Sequence, residues 1–255
     1  MLRFVRYQRD LQIGFGLLEQ QGVVPLTGWI YDGWRVAGEA IPHSQLTLLA
    51  PCTPSKIIGA GLNYRSVAEA KGKELPAEPI LFLKPPSAVI GPEAPIVYPS
   101  MVSQLAYEAE IAVVISRRCH RVDPEQAVEY VLGYTLANDV TAKDLLPASG
   151  PWMKGKGFDT FQPLGPAIVT DLDPESLSVE MWLNGERVQQ GNTEDLIFSV
   201  PELVSYASQI LTLEPGDVLL TGTPLGGGLL AVGDQVEVCN GAIGRLANMV
   251  VAEGS

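Results

Sequence analysis

Apolar residues in this chain come in short runs, punctuated by glycine, proline and Asn/Asp turns. That pattern predicts a strand-rich chain with few helices. Strand-like pieces occur at 2–5, 13–18 and 28–31, with Asp32-Gly33 as a hairpin turn. These form a small β-rich N-terminal subdomain, residues 1–50, and the rest of the chain, 51–255, reads as one larger unit. Further strands are expected at 54–62, 80–84 (stopped by Pro85-Pro86), 95–99 and 107–115. More follow at 131–138, 166–169, 217–221 and 235–238, and a last one at 243–251 closes the sheet. Asn184-Gly185 between 177–183 and 186–188 has the chemistry of a tight hairpin.

Three helical pieces interrupt the strands. One follows Asn63-Tyr64-Arg65 and runs to Lys71. A second starts at Asp123, with Pro124 in its first turn, and runs to about Val131. The third opens on Ser199-Val200-Pro201-Glu202, a capping-box pattern, and runs to about Gln209.

Composition narrows the function. Of 255 residues, 46% are hydrophobic and 18% charged, which fits a well-buried globular protein. The net charge of −12 argues against a nucleic-acid or anionic-membrane partner, because phosphate binding needs a basic stripe. An anionic ligand must then be drawn in by local cations. Cys52, Cys119 and Cys239 are widely spaced and odd in number, which fits free thiols in a reducing, cytoplasmic setting. The charged start MLRFVRYQRD does not resemble a signal peptide, and no apolar run is long enough for a membrane span. His43 and His120 fall in segments expected at the surface.

The candidate chemistry lies between Tyr107 and Asp139. Glu108 and Glu110 are two apart in a strand, so their side chains point to one face. Such a pair is commonly a solvated sheet face. Here it leads into Ile111-Ala112-Val113-Val114-Ile115, a run apolar enough to be buried, and that favours a site whose repulsion a cation relieves. With Asp139, just beyond the strand at 131–138, the donor set contains only oxygen. Hard cations such as Mg²⁺ or Mn²⁺ prefer that chemistry.

Four blocks, YEAEIAVVI, NDVTAKD, KGFDTFQPLGP and GDVLLTGTPLGGG, occur in this order. Together they resemble the fumarylacetoacetate hydrolase family over roughly Pro54 to Val250. The resemblance implies an α+β, mainly β fold: a mixed β-sheet roll with peripheral helices, usually a homodimer. It implies Mg²⁺ or Mn²⁺ on Glu108, Glu110 and Asp139, and a small 2-oxo acid as substrate. It singles out Lys156 rather than Lys154 as lining the metal site. Gly155 and Gly157 would allow close approach to a ligand. Gly222, through its amide, and Thr223 would meet a substrate carboxylate. Lys143 stands where the family often has an arginine, and Leu146 where it has a glutamine.

Hydrolytic members carry a His and, three residues later, a Glu after Asn-Tyr. Val67 and Ala70 stand there instead, and the nearby acid is Glu69. Water activation is therefore expected to be impaired. The expected activity is keto-enol tautomerisation or decarboxylation of oxaloacetate, with Lys156 and Glu69 as candidate catalytic groups. A C–C hydrolase acting on acylpyruvates and a catalytically silent binding protein are the other readings.

Overall fold

The computed structural model describes residues 1–254. The chain opens with β1 (Arg3–Arg9), β2 (Gln12–Glu19), β3 (Gly22–Trp29), β4 (Asp32–Val36) and β5 (Thr47–Leu49). The β3–β4 turn lies at residues 30–31, not at Asp32-Gly33, and β3 begins six residues before the expected strand. Gly28 explains the shift. It sits at φ +85° in a register break, and a Cβ there would lie 2.3 Å from the Gly33 carbonyl oxygen.

Next come β6 (Ile57–Gly61), α1 (Arg65–Ala70), β7 (Ile80–Lys84), β8 (Val89–Ile90), β9 (Ile96–Tyr98), β10 (Leu105–Tyr107) and β11 (Ala109–Ile115). Helix α2 (Pro124–Ala127) continues as a 3-10 turn to Tyr130 and delivers the chain into β12 (Val131–Asn138). The short β13 (Thr141–Ala142) and α3 (Met153–Lys156) precede β14 (Gln162–Val169). A hairpin of β15 (Ser178–Leu183) and β16 (Glu186–Asn192) turns through Asn184 and Gly185, both at positive φ, as the sequence predicts. Helix α4 (Val200–Ile210) begins where expected, with the Glu202 carboxylate accepting from the backbone N–H and hydroxyl of Ser199 at 2.7 Å each. The chain ends with β17 (Val218–Leu220), β18 (Gly228–Leu230), β19 (Gln235–Asn240) and β20 (Gly244–Ala252).

The main sheet runs β4-β3-β2-β1-β14-β12-β11-β17-β6-β7, and it is mixed because β17 and β6 are parallel. Residues 1–50 join it through β1, which pairs with β14. The last strand does not close this sheet. It lies in a second sheet, β16-β15-β19-β20-β9, while β13, β10 and β18 form a third.

β11 is the spine. Every residue of it is buried, and its side chains alternate between two cores. Ile111, Val113 and Ile115 pack with Val179, Met181, Val236 and Val238 of the second sheet. Ala112 and Val114 pack with Phe4, Ile57 and Leu164 on the opposite side. The main sheet is also strongly curled. Four strand spacings separate β12 from β7, which is about 19 Å in a flat sheet, yet Lys84 at the end of β7 reaches Asp139, just past β12.

Candidate metal centre

The antiparallel β11–β12 ladder aligns Ala109 with Asn138 and Glu110 with Ala137. Its hydrogen bonding continues past the strand ends. The Asp139 N–H donates to the Glu108 carbonyl at 2.9 Å, and the Glu108 N–H donates to Asn138 Oδ1 at 3.0 Å. The Thr141 hydroxyl donates to the Asp139 carbonyl at 2.9 Å, and the Ala109 N–H donates to Gln189 Oε1 at 3.0 Å. The ladder, together with side-chain hydrogen bonds of Asn138, Thr141 and Gln189, thus fixes the backbone that carries all three acids. One carboxylate oxygen from each of Glu108, Glu110 and Asp139 lies within 4.8 Å of the other two. Glu110 and Asp139 are buried, Glu108 half-buried.

Two buried lysines hold this cluster. Lys156, the last residue of α3, donates to Glu108 Oε2 at 2.6 Å and to Asp139 Oδ2, with the Phe82 ring centroid 5.2 Å from its Nζ. Lys84 donates to Asp139 Oδ1 and to the Phe161 carbonyl at 2.8 Å. Glu110 has no lysine. Its Oε2 accepts the Gly222 N–H at 2.7 Å, and Gly222 sits at φ +95° with Asn63 packed where a Cβ would go.

The proton affinities follow from these partners. Burial pushes the Glu110 carboxyl well above the usual range; the charge of Asp139 adds to this, and Lys156 only partly opposes it. Burial would also raise Asp139, but Lys156 and Lys84 outweigh it and hold that carboxyl below the usual range. Lys156 is likewise penalised by burial, yet Asp139 and Glu108 raise it above an ordinary lysine. For Lys84 burial prevails and lowers it, despite Asp139. Two ammonium groups face three carboxylates, so full ionisation leaves one negative charge uncompensated. Glu110 is the acid without a cation. An all-oxygen donor set short of positive charge fits a hard divalent ion.

The acids floor a cavity of about 630 Å³. Lys156, Lys143 and Thr223 line it, and the Thr223 hydroxyl accepts from Gln189 Nε2 at 3.0 Å. Gly222 is placed differently from the expectation, since its amide is engaged by Glu110 rather than left for a substrate carboxylate. Glu69 is exposed on α1 and is not part of the cavity wall, because Val67 is the α1 residue that faces the cavity; Ala70 is exposed as well. Gly155 and Gly157 serve packing rather than a ligand. A Cβ at 155 would lie 2.8 Å from Leu146 Cδ1 and 3.0 Å from the Ala142 carbonyl, and one at 157 would lie 2.7 Å from the Met153 carbonyl. The segment around them is the helical turn α3, not an open loop. Lys154 points elsewhere and is exposed. His43 and His120 are both exposed.

Sequence reasoning missed Lys84, which reads as an ordinary strand end. It also missed Asn63, which ties the loop after β6 to the TGTP turn by donating to the Phe198 and Thr221 carbonyls and accepting the Phe198 N–H. A polar residue directly after a glycine-bounded apolar strand was the available signal for Asn63; for Lys84 there was none short of the sheet's curl.

The family model for the fumarylacetoacetate (FAA) hydrolase C-terminal region matches residues 56–251, and one for the N-terminal region of Rv2993c-like proteins matches residues 2–51. The mitochondrial oxaloacetate tautomerase Fahd2a of Rattus norvegicus is 41% identical over 223 residues, 83% of this chain and 71% of that one. A 5-carboxymethyl-2-hydroxymuconate delta-isomerase from Mycobacterium smegmatis superposes with a TM-score of 0.92 at 38% identity, over 98% of this chain and all of that one. A maleylpyruvate hydrolase from Sphingobium sp. SYK-6, solved with manganese(II) and pyruvate, superposes with a TM-score of 0.81 at 28% identity, over 98% of this chain and 99% of that one.

Proposed function

The chain belongs to the fumarylacetoacetate hydrolase family, and on that premise we propose that it is a Mg²⁺- or Mn²⁺-dependent enzyme interconverting keto and enol forms of a small 2-oxo diacid, with oxaloacetate as the leading substrate. The carrying observation is the convergence of Glu108, Glu110 and Asp139 on the floor of a cavity whose α1 wall presents Val67. Glu108, Glu110 and Asp139 would hold the ion, which when bound would supply Lewis acidity to a 2-oxo carboxylate and its keto oxygen.

The chain's own residues do the rest. Lys156 is kept charged by Asp139 and Glu108, so it is better suited to stabilising the negative oxygen of an enolate than to accepting a proton. Thr223, oriented by Gln189, offers a hydroxyl to a substrate carboxylate. No imidazole or carboxylate of α1 faces the cavity to deprotonate a water, so enolate formation, with the carbon-bound proton exchanged with solvent, is favoured over a reaction that needs an activated water as nucleophile. Decarboxylation of the same substrate passes through the same charge distribution and is the neighbouring outcome.

A second reading, C–C hydrolysis of an acylpyruvate, draws on the likeness to the maleylpyruvate hydrolase. One assay separates them. Oxaloacetate is followed by enol absorbance and by pyruvate release, with Mg²⁺, Mn²⁺ or EDTA present. EDTA-sensitive enol decay without extra pyruvate supports the tautomerase, and matching pyruvate release makes the enzyme a decarboxylase. Silence in both channels with turnover of acetylpyruvate replaces the proposal by the hydrolase.

A further inference from the structure

The chain has seven lysines and ten arginines. Among the described residues four of the lysines, Lys71, Lys73, Lys143 and Lys156, line the cavity and no arginine does, and a fifth lysine, Lys84, is bound to Asp139 on its floor. Lys156 is committed to Glu108 and Asp139. The side chains of Lys71, Lys73 and Lys143 are exposed and, among the described residues, form no hydrogen bond or ion pair.

Lys71 and Lys73 are nevertheless held firmly at the backbone. The Gly72 N–H donates to the Glu69 carbonyl at 3.0 Å and the Lys73 N–H to the Ala68 carbonyl at 2.9 Å, with Gly72 at φ +58°. This is a Schellman stop to α1, and it places a lysine on each side of the left-handed glycine. Cations at a helix end also satisfy the helix dipole. That account explains neither why both lysines face the cavity nor why a third free ammonium, Lys143, joins them from a different part of the chain.

Resting on the proposed reading of the carboxylate floor, we infer that Lys71 and Lys73, together with Lys143, form a second anion subsite that selects substrates with a carboxylate beyond the one beside the keto group. In a molecule of net charge −12 a dianion is repelled overall, and unpaired ammonium groups gathered at one cavity offset that locally. Their identity also predicts the kind of selectivity. Arginine forks fix a carboxylate at one distance and angle, whereas lysines are point charges on flexible stems. A cavity of about 630 Å³ has room for more than a four-carbon acid. The subsite therefore reads charge and tolerates length.

The test is calorimetry on the Mn²⁺-loaded protein with two matched pairs: 2-oxoglutarate against 2-oxopentanoate, and 2-oxoadipate against 2-oxohexanoate. Within each pair only the terminal carboxylate differs. The diacid should bind about tenfold more tightly at both lengths, as expected for two or three solvent-facing ion pairs. In Lys71→Gln/Lys73→Gln that ratio should fall at least threefold, while in Lys154→Gln, which alters an exposed lysine outside the cavity, it should stay as in the parent. Equal binding of diacid and monoacid, or a ratio that survives the double substitution, overturns the subsite. A protein that takes up no Mn²⁺ overturns the proposed function and the subsite with it, and the Mn²⁺ titration alone identifies that case, whereas Mn²⁺ uptake with neither acid bound overturns the subsite alone.

Discussion

Asp139 is shared by two lysines, and Glu110 has none. That asymmetry sets the behaviour of individual residues. Replacing Lys156 with methionine leaves Glu108 and part of Asp139 facing each other without a counter-charge. Thermal unfolding in EDTA should show a loss on the order of 3 kcal/mol, the usual penalty for breaking a buried pair. Added Mn²⁺ should recover more stability in this variant than in the parent, because the ion replaces the missing charge. Glu110 gives the pH dependence. Its carboxyl is raised by burial, so in the metal-free protein it keeps its proton at pH values where an ordinary glutamate has lost it. A metal must displace that proton. Mn²⁺ affinity should therefore rise as pH increases and level off above the raised value, and calorimetry in buffers of different ionisation enthalpy should detect proton release. Affinity independent of pH would mean that Glu110 is not a ligand. The carboxylates were legible in the sequence because a two-residue spacing in an apolar strand carries geometric information. Lys84 was not, because its role depends on a strand four places away.

At the scale of elements, short stops and turns do the positioning. Helix α3 is one turn long, and its approach to β13 depends on Gly155, where a Cβ would collide with Leu146 and the Ala142 carbonyl. Gly155→Ala should push the turn outward and carry Lys156 with it. If the proposed function holds, turnover of oxaloacetate should fall roughly tenfold or more, since small displacements of such groups are costly, with a smaller proportional effect on Mn²⁺ affinity. Equal loss of both would indicate general unfolding. The sequence showed Gly155 and Gly157 as conformational freedom beside a ligand; the structure uses them for close backbone packing. Spacing alone cannot distinguish the two, because a glycine's neighbours are set by tertiary contact. Hairpins and caps were easier to read. Asn184-Gly185 and Ser199-to-Glu202 carry their partners within a few residues. The β3–β4 turn was misplaced because Asp32-Gly33 has turn chemistry, whereas the bulge at Gly28 moves the reversal to residues 30–31.

Over the whole molecule the decisive feature is the curl that brings β7 to β12. Lys84 is wholly buried, and its ion pair to Asp139 joins two strands that a flat sheet would keep apart. Lys84→Met should cost about 3 kcal/mol in chemical denaturation, and it should also weaken Mn²⁺ binding, because Asp139 loses the partner that orients it. A variant that loses stability but keeps full Mn²⁺ affinity would show that the pair serves the fold alone. That the fold is mainly β was readable from short apolar runs and their punctuation. The division into a main sheet and a second sheet was not, since β20 has the same alternation whichever sheet receives it. No described helix is long and apolar enough to cross a membrane.

On the proposed function, Glu108, Glu110 and Asp139 hold one divalent ion at the floor of the cavity. Anomalous diffraction from crystals grown with Mn²⁺ tests it most directly. A single strong peak is expected about 2.1 Å from one carboxylate oxygen of each of the three residues, the spacing of a small hard cation and its oxygen ligands. A map with no peak there, and with Lys156 still bridging Glu108 and Asp139 at saturating Mn²⁺, would contradict it.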